Sequence, residues 1–169
     1  MSAASGSRRV AIAFSLALVT AGVLSVSFIP AGGIRGDEKK SSDPWTVSQS
    51  LQAADLAGEL TQKKGTPPTI VYVGFRTLFA GGHIAGASFH GTASEKQGLT
   101  EMKKWAEGLP RSANLVIYCG CCPFEKCPNI RPAFTTLRDM GFNNLRVLVL
   151  PTNFATDWAG KGYPMEKGM

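Results

Sequence analysis

The chain has 169 residues, 44% of them hydrophobic and 18% charged, with a formal net charge of +6. That length accommodates one globular domain plus an extension, and the composition excludes a disordered or fibrous protein. Lys and Arg are scattered in short groups such as QKK and EMKK. Without a continuous basic stripe or a recognition motif, nucleic acid is excluded as a partner and only a mild attraction for small anions is expected.

In chain order, MSAASGSRR precedes an uncharged apolar run, Val10 to Ile29. A basic start and a long apolar segment read as a signal peptide or an uncleaved membrane anchor, with candidate cleavage points after Ser27 or Gly33. SRRVAI is weakly similar to a twin-arginine signal. Residues 1–33 are therefore assigned to the targeting segment, 34–44 to a polar linker and 45–169 to the working domain. An exported, extracytoplasmic location is expected, either released or anchored.

SLQAADLAGELTQKK reads as an amphipathic helix with Leu51, Leu56 and Leu60 on related faces, broken by GTPP. TIVYVGF is β-branched and aromatic, as a buried strand should be. GGHIAGASFHG reads as a turn-rich link, and GLTEMKKWAEGLP as a helix ended by Gly108 and Pro110. ANLVIYC is an apolar run of the kind that suits a parallel strand covered on both faces, and LRVLVL reads as another strand. Between them NIRPAFTTLRDMGF reads as a helix with Asn129 as N-cap, Pro132 in its first turn and Gly141 at its close. NFATDW starts a last short helix that KGYP ends. Alternating strands and helices predict an α/β domain built on a mainly parallel sheet.

All four cysteines, Cys119, Cys121, Cys122 and Cys127, fall within nine residues between one strand and the next helix. Ligands of parallel sheets bind beyond the carboxyl ends of the strands. A loop ahead of a helix also offers unpaired N–H groups and the positive end of the helix dipole, which favour a thiolate and cradle an anion. Position alone makes Cys119, fixed by the strand, the favoured nucleophile. Lys126 and Arg131 offer charge to an anionic donor, Lys126 being better placed. His83 reads as a turn residue bonded to nearby backbone rather than a general base.

Several stretches resemble the rhodanese-like sulfurtransferase domains in order and spacing. GHIAGA is close to that family's Gly-His-Ile-Pro-Gly-Ala signature, LVIYC to its strand leading to the active cysteine, LRDMGFNNLRVLVL to its helix, glycine and last strand, and DWAGKGYPME to its C-terminal signature. The resemblance covers residues 45 to 167 or so. It implies a doubly wound fold around about five parallel strands. It also implies a sulfurtransferase that needs no cofactor or metal. Cys119 would take a sulfane sulfur from a thiosulfate-like anion, hold it as a persulfide, and pass it to a thiol or protein acceptor. Gly120, Cys121, Cys122, Pro123, Phe124, Glu125, Lys126, Cys127 and Asn129 would then form the active loop. Two features depart from the family. Tyr72, Val73 and Gly74 stand where an Asp-Val-Arg is usual, and the loop is several residues longer, CGCCPxxxCPN.

The residues leave other classes open. Cys119 and Cys122 form a Cys-x-x-Cys, which suits thiol–disulfide exchange with Cys122 as resolving thiol. Cys127 could close a disulfide with Cys121 or Cys122 and staple the loop. Four thiolates suit a module for zinc, copper or an iron–sulfur cluster, although adjacent Cys121 and Cys122 are awkward joint ligands. A phosphatase-like Cys-x5-Arg is absent, because Arg131 lies twelve residues after Cys119.

Overall fold

The computed structural model describes residues 43–62 and 66–169. The targeting segment and most of the linker lie outside the described residues. Among the described residues no helix is long and apolar enough to cross a membrane.

The elements are β1 (Ser50–Gln52), α1 (Ala53–Gln62), β2 (Thr69–Tyr72), α2 (Arg76–Gly81), β3 (His83–Ile84), β4 (Ser88–Phe89), α3 (Lys96–Ala106), β5 (Leu115–Tyr118), α4 (Ile130–Asp139), β6 (Leu145–Val149), α5 (Phe154–Asp157) and β7 (Met165–Glu166). Five strands form one sheet in the order β1-β6-β5-β2-β4. Every pairing in it is parallel, with Tyr72 opposite Tyr118 and Ile117 opposite Val147. The expected α/β layout around about five parallel strands is present.

Side-chain alternation sends each central strand's residues to two cores. Val71, Leu115, Ile117, Leu145 and Val147 pack with Met102 of α3 and Phe134 and Leu137 of α4. Ile70, Tyr72, Val116, Tyr118 and Leu148 pack with Leu56 of α1, Phe79 of α2 and Trp158. Helices therefore cover both faces, which is why these strands are largely apolar, with Thr69 and Arg146 the polar exceptions. Each fully buried large side chain contributes on the order of 1.5–3 kcal/mol from area removed from water.

Two details differ from the sequence reading. Residues 50–52 are an edge strand rather than the first turn of α1; only Leu51 of the three is buried, and pairing to β6 decides the conformation. The turn-rich link contains β3 and β4, and β3 pairs antiparallel with β7, His83 opposite Glu166. This ribbon folds the C-terminal signature back onto the domain. Trp158 is fully buried there, and its Nε1–H donates to the Pro164 carbonyl at 2.9 Å. His83 is a structural residue: its Nδ1 lies 2.9 Å from the Phe79 carbonyl oxygen and its ring stacks on Phe79.

Candidate active site

Cys119 directly follows β5 at the carboxyl end of the sheet. Its backbone position is set on both sides. Val73 N–H donates to the Tyr118 carbonyl at 2.9 Å, extending the β2–β5 ladder by a residue. Gly120 turns the chain with φ of +75°, and a β-carbon there would lie 2.8 Å from Phe154 Cβ. Only glycine combines that φ with that approach.

The loop then returns three sulfurs to one place. Cys119 Sγ stands 3.1 Å from Cys121 Sγ, and the sulfurs of Cys119, Cys121 and Cys127 all lie within 4.8 Å of one another. Cys122 is outside this trio. Its sulfur contacts Cys121 at 3.3 Å. The thiol set against Cys119 is thus Cys121, not the Cys122 expected from the Cys-x-x-Cys spacing; the chain turns at Gly120, which brings the second residue on, rather than the third, over the strand end. All four cysteines are free thiols.

Asn129 reaches the trio from the start of α4. It is fully buried, accepts a hydrogen bond from Ser94 N–H at 2.9 Å and points its Nδ2 at Cys119 Sγ (3.5 Å) and Cys121 Sγ (3.9 Å). Its side chain makes no capping bond to α4, against the sequence expectation. The helix end is satisfied differently. The backbone N–H groups of Asn129 and Ile130 point at the Cys127 sulfur.

The electrostatics follow from that geometry. Cys127 is lowered to about 6, first by the Cys119 thiol donating toward it and then by the amides of Asn129 and Ile130. Cys119 is raised, chiefly by sharing its proton with Cys127 and by burial. Cys122 is pushed up to about 12, first by desolvation. The helix terminus therefore stabilises a thiolate at Cys127, where the sequence reading expected it at Cys119: the amides at the α4 terminus reach the residue two before the helix N-cap, not the strand end. In chemical terms the Cys119 and Cys127 sulfurs form a close pair that shares one proton, and Cys119 can attack an electrophile as that proton moves onto its neighbour.

Cys119 and Cys121 open onto a cavity of about 470 Å³ walled by Tyr72, Leu78, Phe154 and Met165, among others. Pro123, Phe124, Glu125 and Lys126 do not line it. They form a 3-10 turn on the loop's outer side and face a separate shallow hollow with Val149 and Pro151. Phe124 is instead an anchor, packed on Trp45 with ring centres 5.5 Å apart. Arg131 is engaged by Asp43 at 2.6 Å and does not reach the cavity.

Tyr72 and Gly74 were visible in the sequence only as departures from a motif. In the structure both border Cys119. A β-carbon on Gly74 would lie 2.5 Å from Tyr72 Oη and 2.8 Å from Cys119 Sγ. Tyr72 Oη is buried with no hydrogen-bond partner among the described residues. The Phe75 amide lies close enough to favour its ionised form, but outside hydrogen-bond geometry. Burial and the neighbouring Cys119 raise the phenol's pKa, so it keeps its proton.

No protein-family model and no curated protein matches the sequence. Solved structures do. The solution structure of the rhodanese-like domain of the Alr3790 protein from Anabaena sp. superposes with a TM-score of 0.53 at 24% identity, covering 70% of this chain and 79% of that one. The fold is rhodanese-like. A crystal structure of the Alr3790 protein gives 0.51 at 24% identity, over 70% of this chain and 93% of that chain. The BH2092 protein from Bacillus halodurans gives 0.55 at 17% identity, over 71% and 77%. Within the rhodanese-like fold, the cysteine loop of this chain occupies the carboxyl end of the parallel sheet, where α/β proteins place their ligands.

Proposed function

We propose that this domain is a sulfurtransferase that carries a sulfane sulfur on Cys119 and hands it to a thiol or protein acceptor. The observation that carries the reading is Cys119 on the wall of a cavity, with the sulfurs of Cys121 and Cys127 within 4.8 Å of its own. With a thiosulfate-like donor the Cys119 thiolate attacks the outer sulfur, the donor's S–S bond breaks, and sulfite leaves with the electron pair. The product is a Cys119 persulfide anion, which the Asn129 Nδ2 donor supports. An acceptor thiolate then removes the outer sulfur and restores Cys119. Intact mass of the reduced domain after exposure to donor tests this: wild type gains one sulfur atom and Cys119→Ser gains none. Equal gain by Cys119→Ser overturns the assignment of Cys119.

One observation favours a second reading. Three thiols within 4.8 Å match a trigonal soft-metal site, since bonds of about 2.3 Å to a central ion put sulfurs roughly 4 Å apart. Native mass of anaerobically purified protein separates the two: retained copper or zinc supports the metal module, and a metal-free chain that gains sulfur supports transfer.

Export is part of the proposal. Its support is Arg8 and Arg9 followed by the uncharged run to Ile29. Fractionation of cells expressing the full chain tests it, and recovery only from the cytosol overturns it.

A further inference from the structure

Thiosulfate is a small dianion, and a pocket made for it should present cations. None of the described residues lining the Cys119 cavity is charged. Lys126 and Arg131, the two cations that follow Cys119 on the loop and the next helix, both face elsewhere. What the cavity does present is mostly apolar, with Thr77 and Asn153 as polar side chains beside Tyr72 and the cysteines. Leu78, Phe154, Ala155, Ala159 and Met165 surround Cys119, and Leu78 is 48% exposed, an apolar side chain left open at the mouth. About 470 Å³ is far more than an inorganic anion needs and lies within the range of sites for small organic molecules. Bringing a dianion there would strip its hydration without an opposite charge in return.

The same cavity holds an unused donor. The Tyr72 side chain lines it, and its hydroxyl is buried without a partner and borders the Cys119 sulfur across Gly74. An unsatisfied buried hydroxyl is costly, and a ligand atom that accepts its hydrogen bond removes the cost.

We infer that the sulfur carrier bound in this cavity is an organic persulfide, R–S–SH, with a small uncharged apolar R group, its inner sulfur accepting a hydrogen bond from Tyr72. This rests on the sulfur-transfer reading and specifies its substrate class. Cys127 takes the Cys119 proton. The Cys119 electron pair forms a bond to the outer sulfur, the donor's S–S bond breaks, and R–S⁻ leaves beside the Tyr72 hydroxyl. The proton on Cys127 then passes to it. The balance is Cys119–SH plus R–SSH giving Cys119–SSH plus R–SH, with no external oxidant or reductant.

The test is single-turnover loading of the reduced full chain by three donors: benzyl persulfide, glutathione persulfide and thiosulfate, read as one sulfur gained by intact mass and located by peptide mapping. Glutathione persulfide carries the same reacting group on a charged body, so it controls for intrinsic reactivity. Benzyl persulfide should load Cys119 at least about tenfold faster than either, as burial of one aromatic ring warrants. Ala155→Trp places a bulky side chain at the exposed rim, where the fold tolerates it, and should cut benzyl persulfide loading by about tenfold or more. If glutathione persulfide or thiosulfate loads Cys119 as fast as benzyl persulfide, the apolar-donor inference is overturned while sulfur transfer stands. If no donor adds sulfur to Cys119, the sulfur-transfer reading falls with it.

Discussion

Tyr72 Oη and Cys119 Sγ flank a single point in space, the position a β-carbon on Gly74 would take, 2.5 Å from the first and 2.8 Å from the second. The strand end of β2 and the strand end of β5 are thus held together through the absence of one side chain. Gly74→Ala should displace one of the two groups. The expected outcome is a loss of about 1–3 kcal/mol in unfolding free energy and a large loss of sulfur loading. Denaturant melts and intact mass check it; wild-type values on both would show that the strand ends are free to spread.

Tyr72→Phe should separate stability from activity. Removing a buried hydroxyl without a partner is neutral or stabilising, by up to about 1 kcal/mol. Sulfur transfer should fall by about tenfold, because one hydrogen bond to the leaving sulfur is lost. A melting temperature lowered together with activity would mean that the hydroxyl has a structural partner instead.

Asn129→Asp keeps the shape of the side chain and can still accept from Ser94 N–H, but it replaces the Nδ2 donor that faces Cys119 and Cys121 with a carboxylate oxygen. A negative charge beside the sulfurs disfavours their thiolates. The pH profile of sulfur loading should move to higher pH. An unmoved profile would show that Asn129 acts on the fold alone.

Cys127 should set the acid limb of both rate and stability. Its folded pKa, about 6, is depressed from an ordinary value of 9.0. The stability it contributes is present in full above about pH 9 and is lost as pH falls toward 6, since the unfolded chain binds the proton more tightly there. Cys119 and Cys122 are shifted upward, so their contribution is present below pH 9 and lost above it. Under reducing conditions the unfolding free energy should rise from pH 6 to about 8.5 and fall beyond 9. Cys127→Ser should remove the rising limb, and the loading rate of wild type should rise through pH 6. Equilibrium denaturation across pH checks the first and stopped single turnovers the second.

The readable part of the fold is the part that burial on both faces dictates. LVIY is apolar at every position because each face meets a helix, and LRVLV departs from that only at Arg146, whose guanidinium is paired with Glu59 of α1. SLQ is different. Three residues with one buried leucine carry no period, and their strand conformation comes from the edge pairing of β1 to β6. In the site, the cysteine loop and the strand-end place of Cys119 were readable. The choice of Cys121 over Cys122 as its neighbour was not, because it depends on the positive φ of Gly120. Nor was the role of Cys127, which depends on where the amides of α4 point. Tyr72 and Gly74 signalled themselves only by breaking a motif, and their meaning needs the distance between two strands.

The walls of the cavity belong to different hydrogen-bonded frames. Cys119 and Tyr72 sit at strand ends of the parallel sheet, whereas Met165 belongs to the antiparallel β3–β7 ribbon and Leu78 to α2. Substitutions at Met165 or Leu78 can therefore reshape what the domain admits without disturbing how its thiols are held. The thiols and the apolar walls are held by separate frames, so a lineage or a designer can alter the shape of the cavity while leaving the sulfur cluster in place.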